Sequence, residues 1–299
     1  MASMTKPLDS ATVILTRDSS QGQYRVLLMR RHRDQDFMGG AFVFPGGRLD
    51  EGDCDPDLAR CTRGLTAAEA KRSLQTPDVP ETRALGLFFA ALRETFEEAG
   101  VLLAYDRAGQ LIDFAEGETA GRFAAYRLQL LKNRLSLREL AEREDLQFAL
   151  DLLIPYSHWI TPQVESKRFS TRFFLARKPA GQLPFHDTIE MTKSQWITPS
   201  EAIELHQTGQ ILLMPPTLKT VEELNEFDSA DDLFRATQSR RIRTILPEAF
   251  MTEDGFGVRL PHDPEYTTEA YKQSPRPSES SRIVMRDGTW RTERASDHD

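Results

Sequence analysis

Three glutamates, Glu94, Glu97 and Glu98, stand in the stretch Arg93-Glu94-Thr95-Phe96-Glu97-Glu98-Ala99-Gly100-Val101. Their spacing is i, i+3 and i+4. On a helix, residues three and four apart share a face, so three carboxylates converge on one patch. Gly100 sits where a helix C-cap belongs, which puts the patch at the negative end of the helix dipole. Anions there repel one another as well as the dipole. A divalent cation reverses that penalty, and carboxylate oxygens are the ligands that Mg²⁺ or Mn²⁺ prefers. A solvated acidic face carries the same residues. Arg93 beside Glu94, and Gly100 ending the helix at once, favour the metal site.

The elements that must position these carboxylates can be read along the chain. Thr82 to Ala99 is a helix, with Leu85, Phe88, Phe89 and Leu92 on its apolar face and Gly86 as its one interior glycine. Ala11–Arg17 and Tyr24–Arg30 read as strands of a hairpin. Residues 39 to 47 lead through Phe42-Val43-Phe44 into the tight turn Pro45-Gly46-Gly47. A short helix over Thr66–Leu74 has Thr66 and Glu69 as a capping box. Phe123 to Asp151 reads as one helix. Trp159–Ile160, bounded by Pro155 and Pro162, Arg172–Ala176 and Met191–Ile197 read as strands. Helices follow over Pro199–Thr208, with Thr198 as cap, and over Thr217–Asn225. Residues 281 to 291 carry a hairpin signature, with Asp287-Gly288 as a type I′ turn. This order indicates a mixed α/β sandwich. A doubly wound parallel sheet does not suit first strands that are joined by short turns.

The bulk composition narrows the function classes. The chain has 299 residues, 39% of them apolar, which is enough for a real core. Its formal net charge of -8 argues against general nucleic-acid binding. An anionic small substrate stays open, because a metal supplies positive charge locally. Cys54 and Cys61 match no common zinc spacing and read as ordinary thiols of a reducing compartment. Residues 1 to 10 lack an apolar segment, and no run approaches a membrane span. A soluble cytoplasmic protein is the expectation.

The stretch from Arg93 resembles the second half of the Nudix signature, G-x5-E-x7-R-E-U-x-E-E-x-G-U, where U is a bulky aliphatic residue. Arg93, Glu94, Glu97, Glu98, Gly100 and Val101 match, and Thr95 departs mildly at the first U. Upstream, Phe44-Pro45-Gly46-Gly47 resembles the turn before the box, with Gly47 as the opening glycine. Asp53 stands where the pattern has its first glutamate. The large departure is the spacer: residues 54 to 92 intervene, 39 instead of seven. Such an insertion costs only modest loop-closure entropy, but it requires Gly47 and Glu94 to meet in space. It resembles one branch of the family in particular, related to acyl-coenzyme A diphosphatases. Trp159-Ile160-Thr161-Pro162 and the stretch from Lys167 to Ala176 are similar to that branch as well.

The resemblance implies a Nudix-type α/β/α sandwich with a mixed sheet, an insertion in the box loop and a C-terminal helical extension. Residues 10–215 would form the Nudix domain, with 54–92 as the spacer. Residues 216–299 would pack on it, and could cover the sheet, form a homodimer contact or gate the pocket. The resemblance also implies Mg²⁺ or Mn²⁺ held by Glu97 and Glu98. Glu94 would be a third ligand or would orient the attacking water, and Gly47 would offer its carbonyl to the metal. Arg93 would hold a carboxylate in place. The general base would be a glutamate of the box or an acid from a later loop, with Glu190 the first later candidate and Glu165 the second. Arg168 and Arg172, expected on one strand face, and Arg31 from the Arg30-Arg31-His32-Arg33 cluster, are candidates for substrate phosphates; the alternative is ordinary surface charge. The implied substrate is a small anionic nucleotide derivative, most readily coenzyme A or acyl-coenzyme A. ADP-ribose, a dinucleotide, a nucleotide sugar and a capped RNA end are alternatives within the chemistry. A Nudix-fold binding module without catalysis is the alternative outside it.

Overall fold

Along Leu8–Asp18 (β1), Ala11, Val13 and Leu15 enter one apolar core, and Ile14 enters another. That period of two marks a strand covered on both faces. The computed structural model describes residues 6–19, 23–32, 38–114, 116–182, 191–252, 255–276 and 278–298. After β1 come Tyr24–Arg31 (β2), Phe42–Val43 (β3), Gly46–Arg48 (β4), the helices Ala67–Ser73 (α1) and Glu81–Ala99 (α2), and Ala104–Tyr105 (β5). Gly117–Leu131 (α3), Leu137–Glu144 (α4), Gln147–Phe148 (β6), Ile154–Ile160 (β7), Phe169–Arg177 (β8) and Met191–Ile197 (β9) follow. The last part holds Pro199–Gln207 (α5), Pro215–Leu224 (α6), Ala230–Gln238 (α7), Thr244–Ile245 (β10), Glu248–Thr252 (β11), Gly255–Arg259 (β12), Arg282–Arg286 (β13) and Thr289–Glu293 (β14).

The main sheet is mixed and runs β10-β7-β8-β1-β2-β3, with β4 on β1 and β9 on β2. The β1–β2 hairpin is antiparallel as expected, while β1 and β8 pair in parallel over their length. The hairpin opens into a fork. One edge of β1 is taken by β8; its other edge pairs with β2 only at Thr16–Asp18 and with β4 at Ser10–Thr12. Strand β2 holds β9 on one edge, and on the other edge β1 and then β3. The segment from Phe42 to Arg48 therefore fills the gap between two diverging strands. Val13 N–H, at the branch, donates to Pro45 O at 2.8 Å. This fork carries Gly46 and Gly47 into the layer where α2 ends.

Helix α2 lies on the face that holds Ala11, Val13, Leu27 and Phe174. Phe88 packs on Phe174 with tilted rings, centroids 4.7 Å apart, and Phe89 meets Phe148 edge-on. Gly100 ends the helix in the left-handed conformation, φ 68°, which glycine adopts without strain. The long spacer is largely helical. It supplies α1, capped by Thr66 and Glu69 as expected, and the first three turns of α2 itself. At Gly86 a Cβ would lie 2.6 Å from Cys54 Sγ, so the glycine lets the spacer's entry cross the helix closely. The insertion thus extends α2 backwards and leaves Arg93 and the glutamates on one unbroken helix.

Three expectations need correction. The single helix over Phe123–Asp151 is two, α3 and α4. Asn133 turns left-handed at φ 52°, and Ser136 with Glu139 starts a new helix by a capping box; local side-chain hydrogen bonds outcompete continuation. Pro155 lies inside β7 rather than before it, at a register shift between Pro155 and Ser157, the kind of irregularity that tolerates a missing donor. The C-terminal extension is not only helical. Beyond α7 it forms an antiparallel sheet, β11-β12-β13-β14. The hairpin at its end is as expected, with Asp287 and Gly288 both at positive φ. Val258, Ile283 and Trp290 of this sheet join α5 to α7 in covering the second face of the main sheet. Among the described residues, no helix is long and apolar enough to cross a membrane.

Phe88 is 1% exposed and ties α2 to the sheet. Phe88→Ala is expected to cost about 3–5 kcal/mol, read from urea denaturation; a loss below about 1 kcal/mol would show that α2 is not anchored through this ring.

Candidate active site

Arg93 is the hub of the site. Its Nε and Nη2 grip Asp53 bidentately at 2.8 and 2.9 Å. Its Nη1 donates to Glu94 Oε1 and Glu97 Oε2, each at 2.9 Å, and its Nη2 also donates to Arg48 O at 2.9 Å. Asp50 stands 3.6 Å away. One planar guanidinium thus joins the glycine turn, the start of the spacer and the C-terminal part of α2, a task that suits a rigid fork of donors. Asp53, 2% exposed, is the residue at the first glutamate of the pattern. Its other contact, Asp50 N–H to Oδ2 at 2.9 Å, fixes the turn that presents it.

Around Arg93 the charges do not balance. Asp53, Glu94 and Glu97 touch it and Asp50 is near, so one positive charge faces four carboxylates. Burial raises the carboxyl pKa of Glu94 to about 8, with Arg93 pulling the other way and Glu97 adding to the rise. Burial likewise raises Glu97 and Asp53, against the charge and hydrogen bonds of Arg93. For Arg93, burial alone would weaken the cation; its hydrogen bond to Asp53 and the charges of Glu94, Asp53 and Glu97 outweigh that and hold it protonated.

Glu98 turns to the other side of the patch and accepts Gly46 N–H at 2.8 Å. At Gly47 a Cβ would come 2.4 Å from Glu94 Oε1, so only glycine lets the turn approach the carboxylate this closely. Gly47 and Glu94 therefore meet, as the split signature requires. Among the described residues, no group of three or more His, Cys, Asp or Glu side chains is already gathered around one metal position. Hydrogen bonds to Arg93 and Gly46 direct the glutamates instead. The residues nevertheless fit a hard divalent cation. The donors are oxygens, negative charge is in excess, and the glycine turn leaves its backbone close by.

A feature absent from the sequence reading offsets the unfavourable helix end. Arg127, buried on α3, donates from Nε to Phe96 O and Glu97 O at 3.0 and 2.8 Å and from Nη2 to Glu98 O at 3.1 Å. A cation on the last carbonyls of α2 counters both the dipole and the carboxylates. No local pattern marks Arg127, since it lies about 30 residues from its partners.

Glu94, Glu97 and Asp53 open onto a cavity of about 1190 Å³, whose lining does not include Glu98. Glu94, Glu97, Arg93, Asp53, Gly47 and Arg31 line it. Glu165, the second candidate base, lines it too. Arg168 and Arg172 do not appear in its wall. Arg168 precedes β8 and donates from Nε to Thr161 O, and Arg172 is buried, with Nη1 on Ser170 Oγ. Burial lowers the Arg172 pKa to about 10. Glu190 lies outside the described residues.

Comparison with known proteins agrees with this geometry. A family model described as the NUDT19 Nudix domain matches residues 8–224. The chain is 30% identical over 283 residues to the Acyl-coenzyme A diphosphatase NUDT19 of Homo sapiens, covering 83% of this chain and 73% of that protein. It is 26% identical to the protein of the same name from Xenopus laevis, covering 84% and 73%. Among solved structures, a NUDIX hydrolase from Alicyclobacillus acidocaldarius superposes with a TM-score of 0.66 at 25% identity, covering 80% of this chain and 99% of that one.

The two turn glycines should separate fold from chemistry. At Gly46 a Cβ would strike the β1 backbone, 2.4 Å from Ala11 O, so Gly46→Ala should lower the melting temperature substantially. Gly47→Ala should fold but misplace Glu94 and lose turnover; normal activity in Gly47→Ala would dissociate this turn from catalysis. The raised Glu94 pKa sets a second test. The folded state binds more protons than the unfolded one between the unperturbed 4.5 and about 8. Metal-free protein should therefore lose stability as pH rises through that window. A divalent cation takes the proton's place, so Mg²⁺ should raise the melting temperature more at about pH 8 than at about pH 5. Equal shifts at the two pH values would contradict this.

Proposed function

The chain belongs to the Nudix hydrolase family as a NUDT19-type diphosphatase, and we propose that it hydrolyses the diphosphate of coenzyme A or acyl-coenzyme A. The products would be adenosine 3′,5′-bisphosphate and the 4′-phosphopantetheine or acyl-4′-phosphopantetheine fragment. The observation that carries the reading is the joining of Gly47, Asp53, Arg93 and Glu94 across the long spacer, together with 30% identity to an acyl-coenzyme A diphosphatase.

In this reading Glu97 and Glu98 would hold Mg²⁺ or Mn²⁺, with Glu94 and the Gly47 carbonyl beside them. A divalent cation supplies such a site with water acidification and with charge for the phosphate oxygens. The protein's own residues do the rest. Water attacks one phosphorus, and the P–O bond to the other phosphate breaks. Glu94, set against Gly47 and held by Arg93 at 2.9 Å, is the proposed acceptor of the water's proton. Arg93 orients Glu94 and Glu97. Arg31, in the cavity wall with a buried Nε that has no hydrogen-bond partner among the described residues, is the proposed cation for a substrate phosphate. Arg168 and Arg172 would meet only a longer substrate that reaches beyond the cavity.

Incubation with Mg²⁺ or Mn²⁺ and a panel of coenzyme A, acyl-coenzyme A, ADP-ribose, NADH and diadenosine polyphosphates, read by mass spectrometry, tests the reading. Adenosine 3′,5′-bisphosphate is expected from the coenzyme A compounds, and Glu98→Gln should reduce its rate by roughly 10²–10³-fold. Turnover of another compound alone would discard the coenzyme A assignment.

A further inference from the structure

We propose that the C-terminal extension walls an apolar chamber for the acyl tail of the substrate, with Phe256, Trp290 and Met214 as its main surfaces. The proposal rests on the coenzyme A reading above and adds what sets preference among its esters. The wall would come largely from residues beyond the 8–224 that the family model matches.

The cavity wall carries two kinds of surface. Its polar residues include Arg93, Glu94, Glu97 and Asp53. Its apolar residues include Phe173, Met214, Pro247, Phe256, Val258 and Trp290. At about 1190 Å³ it exceeds the roughly 300–1,000 Å³ of ordinary small-ligand pockets, so it has room beyond a nucleotide. The apolar surface is not merely closed core. Phe256 and Met214 are only half-buried, and their uncovered surface borders the cavity.

This wall is preorganised. Trp290 meets Phe256 edge-on, with centroids 6.0 Å apart. His206 Nδ1 accepts Leu213 N–H at 3.2 Å, which leaves Nε2–H to donate to Trp290 O at 2.8 Å. The imidazole thereby ties the extension's last strand to the segment that leads into α6. Hydroxyls on the cavity floor are also engaged, with Ser10 Oγ and Thr171 Oγ1 bonded to each other at 2.6 Å. Phosphate and ribose groups gain nothing from such a surface. A saturated chain gains up to roughly fourfold in affinity per methylene buried, and its tail needs no hydrogen-bond partners.

The test compares kcat/KM for acetyl-, hexanoyl- and dodecanoyl-coenzyme A with Mg²⁺ in the full chain and in Phe256→Asn, with thermal denaturation to verify folding. The dodecanoyl-to-acetyl ratio should be well above one, and Phe256→Asn should lower it at least about tenfold, the value of two or so buried methylenes. A second measurement needs neither variant nor turnover. With EDTA present, dodecanoyl-coenzyme A should shift tryptophan emission, because Trp159 and Trp290 line the cavity, and acetyl-coenzyme A should shift it less. Hydrolysis of all three esters at equal kcat/KM with equal emission shifts overturns the chamber and leaves the proposed reaction standing. Absence of hydrolysis of every coenzyme A compound overturns both. An unchanged ratio in folded Phe256→Asn overturns the assignment of this wall.

Discussion

Among the described residues, Arg93 is the one cation in contact with Asp53, Glu94 and Glu97, and much of the site's geometry follows from that shortage. A guanidinium cannot give up its proton at any ordinary pH, so it is a fixed point on which mobile carboxylates can be aligned. Its fork reaches three chain segments that are far apart in sequence: the turn at Arg48, the entry of the spacer at Asp53 and the end of α2. Buried ion pairs cost desolvation, and breaking one by removing a single partner costs more. The arrangement therefore reads less as a stabiliser of the fold than as a device that fixes where the glutamates stand.

That device works only because the sheet opens. Had β1 and β2 paired along their whole length, Phe42–Arg48 would have no edge to occupy. The divergence leaves two free edges, β3 and β4 satisfy them, and the turn between them brings Gly46 and Gly47 to α2. The helix end is in turn held by Arg127 from behind. Cations on two sides and a glycine turn on a third make a strained concentration of acid groups tolerable, while leaving the negative excess that suits a divalent cation.

The extension plays a different part. Its small sheet covers the second face of the main sheet, where Val258, Ile283 and Trp290 share a core with α5 to α7. Covering that face also shapes the far wall of the cavity. The catalytic elements and the cover thus come from separate stretches of chain, and one can vary without the other, as fold and site chemistry commonly do.

The glutamate triad, its helix, the Gly100 stop, the hairpin at each end of the chain and the Thr66 and Thr198 caps could be read directly, because each depends on residues within a turn or two of each other. The mixed sandwich followed from short connections between early strands. Other features were decided by contacts across long separations. The 39-residue spacer hides the link between Gly47 and Glu94, and only packing of α1 and α2 on the sheet closes it. Asp53 could be matched to a pattern, but its grip on Arg93 exists only in the folded chain. The break between α3 and α4 turned on whether Ser136 would start a new helix, a local competition that periodicity alone does not resolve. Arg168 and Arg172 looked alike in sequence as phosphate ligands, yet burial and neighbours turn both away from the cavity wall. The sequence by itself determined which groups could do chemistry, because helix geometry is local. Which of them face one another was decided by the tertiary structure, because charge, burial and access depend on what the rest of the chain places opposite.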